Sequence, residues 1–275
     1  MENETGPEGK DIISLRDVRL TLGDYEALRG VTVSFPEGRS TVIMGPSGCG
    51  KSTLLKACAG LIPPDSGSVL FRGQDIFLLN EKGMRGLRKV NGFVFQDGAL
   101  WENKTLFENL ALPLQVHFPE LPGPEVKRRV IRALEKVGLE DSASERPAAL
   151  SGGEKKMASF LRALVTEPRL VFLDEPTLSI DFRMTERINQ MIKDLKGRGS
   201  TIIAVTHDPQ LTTTLADRLV VMDAGTVIAA GDFDAVRRSP EPRTREILAQ
   251  LLGEIASYDT DLLALLDGQD EDGQN

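Results

Sequence analysis

The chain has 275 residues, 40% of them hydrophobic, and a formal net charge of −8, so it can bury one large core or two small ones but lacks the basic face of a general nucleic-acid binder. Its two cysteines, Cys49 and Cys58, lie in no metal-ligand spacing, and the polar, acidic start "MENETGPEGKD" is no signal peptide. No apolar run approaches the ~18 residues that span a bilayer, so the expectation is a soluble, cytosolic protein whose membrane association comes through a partner.

In chain order, residues 1–10 read as disordered. "DIISLRDVRLTL" from Asp11 alternates apolar and polar residues as a strand, and "VTVSFPEG" from Val31 is a second strand ending in a turn. "STVIMG" is a short buried strand running into glycines, and "KSTLLKACAGL" has helical periodicity. "FVFQDG" ends another strand. From about Asp97 to Thr166 helical stretches such as "PEVKRRVIRALEKVGL" dominate, and the run Lys127, Arg128, Arg129 and Arg132 reads as a solvated helix face. Sheet character returns with "RLVFLDEP", "STIIAVTH" and "RLVVMDAGTVIAAGD", the last a hairpin turning at Ala-Gly.

Strands alternating with helices imply an α/β fold with a mainly parallel sheet, the segment 97–166 being inserted between two strands. From about Ser239 the chain changes. A helical extension over 239–266 sets Ile247, Leu248, Leu251, Leu252 and Ile255 on one stripe suited to docking or to packing back on its own domain, and 267–275, "DGQDEDGQN", reads as an acidic disordered tail.

"GPSGCGKST" spans Gly45, Pro46, Ser47, Gly48, Cys49, Gly50, Lys51, Ser52 and Thr53 and matches G-x-x-x-x-G-K-[ST] between a strand and a helix. Such a match arises by chance in on the order of one chain in a hundred. The glycines let successive N–H groups face one anion at a helix N-terminus. Lys51 then offers a point charge to the β- and γ-phosphates of ATP, and the Ser52 hydroxyl is a Mg²⁺ ligand. "LVFLDEP" brings Asp174 to a strand end, fit to hold Mg²⁺, with Glu175 placed to deprotonate a water. His207 ends "TIIAVTH", placed to hydrogen-bond the γ-phosphate or that water, and the Gln96 amide is a third Mg²⁺ ligand. His117 has no such setting and reads as a surface residue.

These pieces resemble the ATP-binding subunit of ABC transporters: "GPSGCGKST", "FQDGA", "LSGGEKKM", "LVFLDEPT", the Asp181 of "LSID" and "VTHD" stand in the family's order over roughly Asp11 to Asp232, which implies an ATP-binding domain over 11–238. The resemblance implies a P-loop NTPase with a RecA-like core, an antiparallel β subdomain and an inserted α-helical subdomain. It also implies that two copies close head to tail on two ATP molecules, with Ser151, Gly152 and Gly153 of one copy contacting the γ-phosphate held by the other. Asp181 would carry contacts between the two sites. The aromatic residue that stacks on adenine falls at Leu22 by spacing, with Tyr25 nearby as a substitute. "EKKM" and "TLSID" depart from the family's commoner wording.

The stretch "FQDGALWENKTLFENLALPL" and the later "SPEPRTREILAQLLG" look like the Mla subfamily, the MCE-linked systems that move phospholipids between bacterial membranes. That resemblance implies permease subunits received in a groove near Trp101 and Phe107, MCE-domain and STAS-domain partners, and a place on the cytoplasmic face of the inner membrane. The competing expectations are another ABC importer, for instance of polar amino acids, or a non-transport ABC ATPase.

Overall fold

The computed structural model describes residues 10–252; the expectations for the extreme N-terminus, for Ile255 and for the acidic tail lie outside the described residues. The strands are β1 (Asp11–Leu22), β2 (Tyr25–Pro36), β3 (Ser40–Met44), β4 (Ser66–Phe71), β5 (Gln74–Asp75), β6 (Asn91–Val94), β7 (Leu170–Asp174), β8 (Thr201–Val205), β9 (Arg218–Asp223) and β10 (Thr226–Asp232). The helices are α1 (Lys51–Cys58), α2 (Glu81–Val90), α3 (Leu106–His117), α4 (Gly123–Glu135), α5 (Gly152–Leu164), α6 (Phe182–Gly197), α7 (Pro209–Leu215) and α8 (Phe233–Arg237), followed by a last helix over 242–252.

A six-stranded sheet has the order β10-β9-β3-β8-β7-β6, parallel except for the β9–β10 hairpin. All five residues of β3, β7 and β8 are buried, as strands covered on both faces require. Period-2 alternation divides the sheet's side chains between two cores. Ile43, Phe172, Ile203 and Val205 pack toward α1 and the antiparallel sheet, whose order is β2-β1-β4-β5. Val42, Val171, Leu173, Ile202 and Ala204 pack with apolar residues of α3 to α7 on the other side. The hairpin turns at Ala224 (φ 43) and Gly225 (φ 83), two successive left-handed residues as a tight hairpin demands.

The helical segment enters after β6 and returns at β7. Thr105 and Glu108 form a reciprocal cap on α3. Asn109, fully buried, fastens the preceding loop by accepting from the Trp101 N–H (2.8 Å) and donating to the carbonyls of Trp101 and Thr105 (3.1 and 2.9 Å). In the basic run, Arg128 and Arg129 bond Glu125 on their own helix.

Two features differ from expectation. β2 begins at Tyr25, six residues earlier than Val31, because Tyr25–Gly30 pairs with β1. Helix α2 and strands β4 and β5 were not anticipated; α2 starts at Asn80, whose side chain accepts from the Gly83 N–H at 2.9 Å. Of the two readings of the C-terminal stripe, docking or packing on its own domain, the described part follows the second. Ile247 and Leu248 are buried in the core that covers the sheet, and Leu251 and Leu252 pack against it. A helix with a partner on its apolar face within the same domain has little of that face left to offer another molecule.

Candidate active site

β3 ends at Met44 and the chain curls through Gly45–Gly50 into α1. The curl needs glycine. Gly45 has φ 154 and Gly50 φ 101, and an added Cβ would stand 2.3 Å from the Met222 carbonyl oxygen at the first and 2.4 Å from that of Ala27 at the second. Gly50→Ala is therefore expected to distort the loop and to weaken nucleotide binding by more than about tenfold, since the left-handed conformation alone costs roughly 1–2 kcal/mol. Titration with a fluorescent ATP analogue reads the effect, with the melting temperature as a check on folding.

Lys51 is buried, and its Nζ donates to the carbonyls of Gly45 (2.7 Å) and Pro46 (2.8 Å). Cys49 is buried under the loop, where desolvation raises its thiol pKa, and its carbonyl accepts the Gly225 N–H at 3.1 Å. The Tyr25 hydroxyl donates to the Gly48 carbonyl (3.0 Å). Tyr25 and Leu22 face each other across the β1–β2 turn, both half-exposed beside the cradle.

The sheet register brings the remaining groups to the same edge. β7 pairs with β8 so that Asp174 lies opposite Val205, and β6 pairs with β7 so that Val94 lies opposite Leu173. Asp174, Glu175, His207 and Gln96 therefore emerge together at the C-terminal ends of neighbouring strands, where open α/β sheets bind ligands. Ser52 Oγ donates to Asp174 Oδ1 at 2.7 Å. Burial pushes the Asp174 carboxyl above its ordinary range, with the Ser52 hydrogen bond acting against that shift. A desolvated carboxylate beside a hydroxyl suits a hard divalent cation, which relieves the cost of burying the charge.

Glu175 is buried and held in the left-handed region at φ 47, its N–H donating to the Val205 carbonyl at 2.9 Å. Its Oε1 is in hydrogen-bond contact with His207 Nδ1, and its Oε2 accepts the His207 backbone N–H at 3.3 Å. The two expected catalytic side chains thus orient each other. The Gln96 side chain is exposed at the end of β6. His117, at the end of α3, is half-buried; its pKa is lowered by burial and by Arg88 and Lys89.

Ser151, Gly152 and Gly153 open α5. No hydrogen bond joins them to Lys51, Ser52 or Thr53 among the described residues. Ser151 forms a reciprocal cap with Glu154, whose carboxylate accepts both the Ser151 N–H (2.8 Å) and its hydroxyl (2.6 Å) and is held below the ordinary Glu range by those bonds. A Cβ on Gly152 would meet nothing within 4 Å, so this terminus is open to close approach. Asp181 caps α6 by accepting from the Met184 N–H at 3.0 Å, and its Oδ2 lies 3.6 Å from where a Gly153 Cβ would stand. Sequence reasoning missed Lys156, a buried cation on α5 whose Nζ donates to the Gln96 carbonyl.

A glycine-lined cradle running from β3 into a helix, with an acidic pair at the end of β7, one strand removed from β3 in the same parallel sheet, defines a P-loop nucleotide hydrolase. The model of one family, described as ABC transporter, matches residues 28–178, and the chain belongs to that family. It carries that family's ATP-binding domain. It is 38% identical over 242 residues to the methionine import ATP-binding protein MetN of Brucella abortus (strain 2308), covering 88% of this chain and only 65% of that relative's length. It is 35% identical over 239 residues to the intermembrane phospholipid transport system ATP-binding protein MlaF of Escherichia coli (strain K12), covering 86% of this chain and 88% of the relative. Among solved structures, the dimeric structure of MJ0796, a bacterial ABC transporter cassette, superposes with a TM-score of 0.74 at 32% identity over 80% of this chain and 98% of that one. No helix among the described residues is long and apolar enough to cross a membrane.

Proposed function

We propose that the sheet edge binds ATP with Mg²⁺, that a second copy of the chain closes over it, and that the energy released drives phospholipid transport by a membrane permease. The observation that carries the chemistry is the meeting of two hydrogen-bonded pairs, Ser52–Asp174 and Glu175–His207, at the end of the glycine cradle. Loop N–H groups and the α1 N-terminus receive the phosphates, and Lys51 exchanges its loop carbonyls for phosphate oxygens. Ser52, Asp174 and Gln96 would hold Mg²⁺, which when bound neutralises phosphate charge. Glu175 accepts the proton of the attacking water while His207 keeps its carboxylate aimed. The ring of Tyr25, anchored on Gly48, packs against the adenine.

The second copy supplies Ser151, Gly152 and Gly153 to the γ-phosphate. For that step Glu154 must release the Ser151 hydroxyl and N–H, so one anion replaces another at the helix end. Asp181, whose Oδ2 lies 3.6 Å from where a Gly153 Cβ would stand, would carry contacts between the two sites.

The cargo reading rests on the loop after Gln96. Trp101 is 55% exposed on a stretch pinned by Asn109, whereas Phe107 is half-buried against the helical core, so Trp101 is the side chain offered to a permease. That stretch resembles the Mla subfamily, and the Escherichia coli phospholipid relative aligns along 88% of its length. The partners implied are permease, MCE-domain and STAS-domain proteins, with the chain held at the cytoplasmic face of the inner membrane by the permease. Copurification from native membranes, with mass spectrometry of proteins and lipids, tests this. Recovery of an MCE-domain protein with phospholipid is the expected result. A methionine-type permease, which the Brucella similarity favours, would overturn it.

A further inference from the structure

The basic run of α4 borders a cleft of about 640 Å³, walled by α4, by the C-terminal end of α5 and by α6. That volume falls within the roughly 300–1,000 Å³ of small-molecule sites. None of the residues lining it belongs to the glycine cradle or to the sheet edge that carries Asp174, Glu175 and His207.

Six cations line the cleft: Arg128, Arg129, Arg132 and Lys136 from α4 and its cap, with Arg187 and Arg198 from α6 and its cap. Three carboxylates, Glu125, Glu167 and Asp194, oppose them. In a chain of net charge −8, this local surplus of positive charge draws anions to one place. Some of the cations are already engaged. Glu125 takes Arg128 and Arg129 at 2.5 and 2.8 Å, and Arg187 donates to the Val137 carbonyl at 3.0 Å. Arg132, Lys136 and Arg198 are exposed and form no ion pair among the described residues.

The floor has the opposite character. Leu161, Val165 and Leu195 reach it from the core, and Ala133, Leu164 and Met191 lie half-buried beside them. A helix C-terminus favours a cation such as Lys136 or Arg198, but it does not call for an apolar surface left open between them. A bare anion would satisfy the rim and leave that floor wet. An apolar molecule would cover the floor and leave the rim without a partner.

We propose that the cleft between α4, α5 and α6 binds a phosphate-headed amphiphile, its headgroup on Arg132, Lys136 and Arg198 and its hydrocarbon over Leu164 and Met191. Arg132 and Lys136 stand four residues apart and so share one face of the chain's helical path. The planar guanidinium fork takes two phosphate oxygens at once. A phosphate monoester brings a charge of about −1.5 to −2, which suits a rim with several uncompensated cations better than a single carboxylate does. The site is separate from the nucleotide cradle, and it stands whether or not phospholipid is the cargo.

Calorimetry on the full chain tests it, with the cradle saturated by ADP so that phosphate does not report there. The titrants are a short-chain lysophosphatidic acid below its micellar concentration, inorganic pyrophosphate, and the matching neutral monoacylglycerol. The lysophosphatidic acid should bind once per chain and more tightly than either of the others. In the double variant Arg132→Gln, Arg198→Gln its dissociation constant should rise by about 10- to 100-fold, the size of one lost charge-assisted hydrogen bond. ATP affinity and the folded state should not change. Pyrophosphate that binds as tightly as the amphiphile reduces the cleft to a bare-anion patch and overturns the proposal. Equal binding of the neutral lipid overturns the role of the cations, and binding that survives the double substitution places the ligand elsewhere. A full chain that binds none of the three titrants ends the proposal outright.

Discussion

Glu175→Gln is expected to bind ATP normally, to lower kcat by about 10²- to 10⁴-fold and to accumulate as a closed pair of copies. The substitution preserves volume, and the amide oxygen can still accept the His207 backbone N–H that Oε2 accepts now. It removes only the capacity to take a proton from water. Because Glu175 is buried and held at φ 47, a conformation that costs roughly 1–3 kcal/mol, its backbone directs the side chain regardless of the end group. Gel filtration with ATP should show the variant at the dimer volume, and a single-turnover assay should show no phosphate release on the wild-type timescale. Wild-type hydrolysis by the variant would remove Glu175 as the base and leave His207 as the candidate.

Lys51→Ala acts one step earlier, on binding. The ammonium is buried and makes two charge-assisted hydrogen bonds to loop carbonyls, which in the proposed function it exchanges for phosphate oxygens. Bonds of this type contribute about 1.5–3 kcal/mol each, so the loss of one or two raises the ATP dissociation constant by on the order of 10²-fold. Calorimetric titration checks it, and ADP should weaken less than ATP if the contact is to the γ-phosphate. Unchanged affinity would place the lysine in a purely loop-shaping role.

The phosphate cradle was legible because its chemistry dictates its letters: at Gly45 and Gly50 only a residue without Cβ fits. Asp174, Glu175 and His207 were legible because an apolar run that ends in a polar group places that group at a sheet edge, and the β7–β8 register brings the pairs together. The antiparallel subdomain was less visible. Tyr25–Gly30 joins β2 through pairing to β1, and Gly83 and Gly86 obscure the periodicity of α2. The stripe at Ile247 and Leu248 was visible as a stripe, but a helical period names an apolar face and not what covers it. Lys156 was least legible of all, since in "GEKKM" it looks like one more solvated cation and only the neighbouring Gln96 loop shows otherwise.

The turn between β9 and β10 ties together two regions far apart in the chain. On one side Asp223 grips Arg243 with both carboxylate oxygens (2.7 and 3.3 Å), at the root of the 242–252 helix. Two residues later Gly225 props up the Cys49 carbonyl underneath the phosphate loop. The helix over 242–252 is thus joined to the glycine loop through a single turn, by one surface ion pair and one backbone hydrogen bond. Removing that helix would take away Ile247 and Leu248, each worth about 1.5–3 kcal/mol of burial, and would leave Asp223 without its Arg243 partner.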